Sequence, residues 1–156
     1  MPNVSGGEST LPFPRAGSSV AGMSTQEAEP FTGWSDELKA EFAANMRNGQ
    51  VGMELLDENK HARVWRICIP PGERCTAHRH VLDYFWICTS GGKARSHFED
   101  GSTRFPEYGV GEYCALWFDE GESMQHDLEN IGDEDLVFIT VEYLASANEP
   151  LPLGDA

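Results

Sequence analysis

The stretch PPGERCTAHRHVLDYFWICTSGG, running from Pro70 to Gly92, decides how this chain is read. It opens on a Pro-Gly turn at Pro70, Pro71 and Gly72, passes His78 and His80, continues through Tyr84, Phe85 and Trp86, and closes on Gly91 and Gly92. Residues i and i+2 of an extended strand point to the same face, so His78 and His80 can aim both imidazoles at one point. A second stretch, GESMQHDLEN from Gly121 to Asn130, supplies a third histidine. Met124, His126 and Leu128 share one face there, and Ser123, Gln125, Asp127 and Glu129 share the other. That alternation turns His126 inward among apolar neighbours and lets a third imidazole from a distant strand complete a metal site.

Outward from these stretches the pattern is β-rich. Val64 to Ile69, Tyr84 to Thr89, Lys93 to Phe98, Ser102 to Phe105, Tyr113 to Phe118, Ser123 to Leu128 and Leu136 to Tyr143 each read as a strand, separated by Gly, Pro and Asp. Gly91-Gly92 and Asp100-Gly101 read as two-residue hairpin turns of type I′, which need positive φ at both central positions. No repeat or heptad appears, so an all-β antiparallel sandwich or barrel closed on itself is the expected architecture. One short helix precedes it. Ser35 is its expected N-cap, Asp36 and Glu37 lie in its first turn, Leu38, Phe42 and Met46 form its apolar stripe, and Asn48-Gly49 ends it. Residues 1–30, mostly Gly, Ser, Pro, Glu and Thr, read as a flexible leader. The remaining divisions are a helical segment over 31–50, a barrel over 51–145 and a tail over 146–156.

With 156 residues the chain suits one domain. Its formal charge of -15, from 26 acidic against 11 basic residues, argues against nucleic acid and anionic lipid as partners. No apolar run approaches the ~20 residues of a membrane span, and no basic-then-apolar signal opens the sequence, so a soluble cytoplasmic protein is expected. Cys68, Cys75, Cys88 and Cys114 lack Cys-x-x-Cys spacing and read as buried thiols rather than disulfides.

The two histidine stretches together resemble the motifs of the cupin superfamily, small jelly-roll β-barrels with a metal site in the mouth. The first family motif is a Gly, five residues, His-x-His, three or four residues, a Glu, six residues and a Gly; Gly72, His78, His80 and Gly91 fall into register with it. Tyr84 stands where the Glu would be, with Asp83 before it and Phe85 after it. The second motif, a Gly-rich turn leading to a His with Asn four residues on, is matched by Gly121, His126 and Asn130, without its usual Pro. The match spans roughly 51–143, and Pro71 to Gly92 is also similar to the single-domain cupins associated with β-alanine breakdown. The resemblance implies His78, His80 and His126 as metal ligands. Neutral imidazoles suit Fe, Zn, Mn, Ni or Cu. By analogy with three-His dioxygenases of the family, which act on diketones and thiols, iron with O₂ leads.

Three neutral ligands leave the whole divalent charge on the metal, which favours anionic ligands such as enolates, carboxylates or thiolates. Tyr84 has two readings, a phenol that acts at the metal or an aromatic wall, and Phe85 and Trp86 beside it favour the wall. Asp83 is a candidate fourth ligand if the strand is bulged, or an orienting partner for His78 or His80. Together Tyr84 and Asp83 are the expected catalytic groups. Trp86 and Cys88 share strand parity with Tyr84 and are candidates for the cavity wall. Arg66 and Arg95 are candidate clamps for a substrate carboxylate if they face inward, a solvated outward arginine being the alternative. Cys75 is expected as a buried thiol outside the site, and His61 and His97 as exposed. Three functions compete: a three-His iron dioxygenase on a small organic acid or carbonyl compound; a redox-neutral metal-dependent lyase or isomerase whose general base is Tyr84, Asp83 or Glu142; and a non-catalytic small-molecule-binding cupin. Tyr84 to Cys88 is apolar on both faces, so a homodimer is expected to cover the outer one.

Overall fold

Strict alternation of side chains along the last strand sets the frame of the barrel. Over β10 (Leu136–Tyr143) buried Leu136, Phe138, Thr140 and Glu142 face inward while half-buried Val137, Ile139, Val141 and Tyr143 face outward. The computed structural model describes residues 28–153, so the expected leader lies outside the described residues but for its last three. Preceding β10 are α1 (Asp36–Ala44), β1 (Glu54–Glu58), β2 (Ala62–Ile69), β3 (Arg74–His80), β4 (Tyr84–Ser90), β5 (Gly92–His97), β6 (Thr103–Arg104), β7 (Glu107–Tyr108), β8 (Tyr113–Leu116) and β9 (Met124–Asn130). They form two antiparallel sheets, β1-β2-β10-β4-β8 and β3-β9-β5-β6, with β7 paired to β5. This is a jelly roll: two sheets face to face, their inner faces making a core of Ile67, Ile69, Cys88, Leu136 and Phe138.

Two turn expectations are corrected. Gly91-Gly92 makes no hairpin, because β4 pairs with β10 and β8 whereas β5 pairs with β9, β6 and β7. The chain changes sheet there. A Cβ on Gly91 would stand 2.2 Å from the Tyr108 carbonyl oxygen, so the crossing excludes any side chain. Asp100-Gly101 does connect the β5–β6 hairpin, but only Gly101 has positive φ, at 85°. The Gly101 amide donates to the Phe98 carbonyl at 2.8 Å and the Phe98 amide to the Ser102 carbonyl at 3.0 Å, a type I turn followed by a left-handed glycine.

The helix starts as read and ends early. Ser35 Oγ accepts from the Leu38 amide at 3.1 Å, but α1 stops at Ala44, leaving Met46 exposed beyond it. Its buried side chain Phe42 packs with Trp34 and Ala77, so the helical segment lies on the outer surface of the β3-β9-β5-β6 sheet. Gln125, on the outward face of β9, donates from Nε2 to the Phe42 carbonyl at 2.7 Å. That sheet is therefore buried on both faces. His97, expected to be exposed, is 8% exposed beneath this cover, with Trp34 set edge-on at 5.1 Å. β1 escaped the sequence reading because all of its residues are exposed. It is held at the sheet edge by pairing with β2, with Arg63 bound to Glu58 and Arg66 near Glu54. Among the described residues no helix is long and apolar enough to cross a membrane.

Candidate metal centre

β3 and β9 run side by side with His78 directly opposite His126 and His80 opposite Met124. Cross-strand partners and i, i+2 neighbours on one face converge, so His78, His80 and His126 place one ligand nitrogen each within 4.8 Å of the others. His80 Nε2 and His126 Nε2 are 3.1 Å apart. Ligands at ~2.1 Å from a shared ion stand roughly 3.0–3.4 Å from one another, so this spacing suits a bound metal. His78 Nδ1 donates to the Thr76 carbonyl at 2.8 Å, which directs its Nε2 inward. Ser96 Oγ lies 3.5 Å from His126 Nδ1 and donates to the Asp127 carbonyl. His80 Nδ1 is buried without a partner among the described residues, while its Nε2 points at the shared centre. Burial, foremost, holds all three imidazoles below their ordinary pKa, His80 and His126 the furthest. Neutral rings are what a metal needs as ligands. The donor set, its spacing and its protonation all fit a divalent transition metal.

The register shift nearest the histidines lies in β3 and not beside Asp83, which precedes β4. Between Cys75 and His78 the register of β3 shifts, two residues standing against one on β9, so Cys75 and His78 both face the cavity. Cys75 thus lines the site it was expected to miss, with Sγ 3.9 Å from His78 Nδ1. Burial pushes its thiol up to about 12, so it is protonated at neutral pH.

The histidines open on a cavity of about 60 Å³, lined besides by Val51, Ile67, Leu128 and Phe138, with Tyr84, Trp86, Tyr108 and Thr140 as further wall. Such a space admits a ligand of only a few heavy atoms. Tyr84 stacks on His80 at 4.1 Å and 12°, and burial raises its pKa well above the ordinary phenol value, so it is a neutral aromatic wall. Trp86 lines the cavity; Cys88, 1% exposed, lies in the adjoining core.

The remaining candidates lie away from the cavity. Asp83 Oδ1 accepts from the Phe118 amide at 2.8 Å and so ties the loop after β8. Arg66 is exposed on the outer face of β2, as its parity with Val64 and Cys68 requires once Trp65 and Ile67 are inward. Arg95 lies on the outward face of β5 and is held by Glu129 at 2.6 Å. Glu142 faces inward opposite Tyr84, outside the cavity wall, and accepts from Trp65 Nε1 at 2.8 Å. Burial pushes its carboxyl up to about 7, against the opposing pull of Trp65 and Arg63. No carboxylate and no cation therefore lines the cavity among the described residues.

No protein-family model matches the sequence, and no curated protein does either. Solved structures do. A cupin domain from Bordetella pertussis Tohama I is similar at 23% identity with a TM-score of 0.51, the alignment covering 62% of this chain and 95% of that one. A double-stranded β-helix protein from Klebsiella pneumoniae is similar at 22% identity and TM-score 0.48, over 70% of this chain and 88% of that one. An RmlC-like cupin from Methanocaldococcus jannaschii is similar at 21% identity and TM-score 0.45, over 58% of this chain and 76% of that one. The fold is that of a small cupin, a double-stranded β-helix, and its barrel holds a three-histidine cluster suited to a divalent metal.

Proposed function

We propose that this chain is a metal-dependent enzyme acting on a small organic acid or carbonyl compound, in its leading form a three-His non-haem iron dioxygenase. One observation carries the reading: three neutral imidazole nitrogens converge in a largely apolar cavity whose wall offers no carboxylate. Iron held by His78, His80 and His126 would supply O₂ chemistry at a centre with open coordination positions. The chain's own residues do the rest. Trp86, Phe138 and Leu128 exclude water around a small ligand, Tyr84 braces the His80 ring, and the Thr76 carbonyl fixes the proton of His78 on Nδ1.

The lyase or isomerase alternative needs a general base. Asp83 is engaged with Phe118, Glu142 with Trp65, and Tyr84 is a neutral phenol, which favours oxygenation over proton abstraction. Protein purified without tag or chelator is expected to contain near-stoichiometric iron that His80→Ala lacks, and to consume O₂ as substrate disappears. Turnover unchanged under strict anaerobiosis would remove the oxygenase form. Equal metal content in wild type and His80→Ala would remove the metal centre.

We also propose that two chains make the working molecule. Phe85 and Ile87 of β4 and Ile139 and Val141 of β10 form a half-buried apolar stripe on the outer face of one sheet. Light scattering is expected to give twice the chain mass. A monomer mass independent of concentration would contradict it.

A further inference from the structure

Hydroxyls on the cavity wall meet no partner. The hydroxyl-bearing side chains that line the cavity are Tyr84, Tyr108 and Thr140, and none of their hydroxyls is hydrogen-bonded among the described residues. Thr140 is 2% exposed and Tyr84 3%. The fully enclosed polar atoms without a partner are His80 Nδ1 and Ser102 Oγ. The hydroxyls of Thr140 and Tyr84 therefore touch open space, and for side chains this buried that space is the cavity they line. An inward hydroxyl in an apolar row costs stability when no hydrogen bond replaces its water. The inward row of β10 runs Leu136, Phe138, Thr140 and Glu142. Glu142 has Trp65 Nε1 as its partner, whereas Thr140, where a valine would fill nearly the same space, has none. Thr140 stands opposite Trp86 and Glu142 opposite Tyr84, so Thr140 and Tyr84 are diagonal neighbours on one inner face. Their strands, β10 and β4, belong to one sheet, and β3 and β9 with the histidines to the other. Facing sheets stand about 10 Å apart, so a small ligand held at the histidines reaches across to these two hydroxyls.

We propose that Thr140 and Tyr84 form a neutral hydrogen-bonding subsite for an uncharged oxygen, alcohol or carbonyl, at the end of the ligand that lies away from the histidines. The proposal rests on the reading of the histidines as the metal centre that anchors the ligand. A hydroxyl both donates and accepts, so the pair serves an alcohol as well as a carbonyl. A carboxylate placed there would exchange its hydration for neutral donors on a wall that offers no cation, which disfavours diacids. The substrate class narrows to small molecules with one group for the metal and an uncharged oxygen a few bonds away.

The test loads the full chain with cobalt(II) and titrates it anaerobically with small thiols that share one metal-binding end, following the thiolate-to-cobalt charge-transfer band. The probes are 2-mercaptoethanol, 1-propanethiol, in which a methyl replaces the hydroxyl, and mercaptoacetate, in which a carboxylate does. Wild type is expected to bind 2-mercaptoethanol more tightly than 1-propanethiol. Thr140→Val and Tyr84→Phe each remove a hydroxyl and little else, and each should shift that ratio toward 1-propanethiol about fivefold. Both should leave mercaptoacetate affinity within about twofold of wild type and cobalt content unchanged. Cobalt bound normally, with the ratio in both variants within about twofold of wild type, overturns the subsite alone. Mercaptoacetate weakened in the variants as much as 2-mercaptoethanol overturns the preference for an uncharged oxygen. A chain that takes up no cobalt, or gives no thiolate band, overturns the metal reading and with it the anchor on which the subsite rests.

Discussion

Asp127→Ala should cost the folded protein about 3–5 kcal/mol at neutral pH, read from the urea midpoint at constant slope. Asp127 is fully buried on the outer face of β9 and holds three donors: Arg74 at 2.9 Å, the His97 amide at 2.6 Å and the His97 ring at 2.9 Å. Arg74 also grips Glu41 of α1, whose Oε1 accepts from the Ala77 amide at 2.8 Å. Truncation leaves a buried amide and an imidazole without an acceptor and strips Arg74 of one of its two acids. The helix, β3, β5 and β9 meet at that carboxylate, so the loss is cooperative rather than local. A cost below about 1 kcal/mol would show that water satisfies the freed donors and that the network is not a buried one.

Glu142→Gln should change the pH dependence of stability in the opposite sense to most carboxylate substitutions. An exposed glutamate titrates near 4.5, whereas burial pushes Glu142 up to about 7. Between those values the folded state binds more protons than the unfolded one, so this group makes stability fall as pH rises through the window. The full difference is about 3 kcal/mol. The glutamine keeps an oxygen acceptor for Trp65 Nε1 and has no proton to lose. Stability of the variant relative to wild type should therefore be higher at pH 8 than at pH 5 by about 2.5 kcal/mol, part of the full difference having been lost below pH 5, measured by denaturant titration at both values. The three histidines act the other way in wild type and variant alike. Their depressed values add stability as pH rises toward 6.5, and that term cancels in the comparison. A difference that does not move with pH would mean that Glu142 is ionised throughout.

Sequence patterns made some of this structure readable and hid other parts for identifiable reasons. β10 was legible residue for residue because one face is core and the other is not, so alternation survives in the composition. The histidines were legible because ligand spacing on paired strands is a local property of β3 and β9. Asp127 and His97 were not, since a polar residue on the outward face of a strand reads as solvated until the cover supplied by α1 is known. The early end of α1 was hidden by Met46, which keeps the spacing of the apolar stripe while lying exposed beyond the helix.

The register shift in β3 separates two tasks that a regular strand would merge. Beyond it, His78, Arg79 and His80 alternate as any strand does, and that alone gives the two imidazoles their common heading. The additional residue contributes no side chain to the cavity. It brings the Thr76 carbonyl within 2.8 Å of His78 Nδ1 and so selects which ring nitrogen is left with a lone pair. Direction is written in the alternation of β3, and tautomer in its defect.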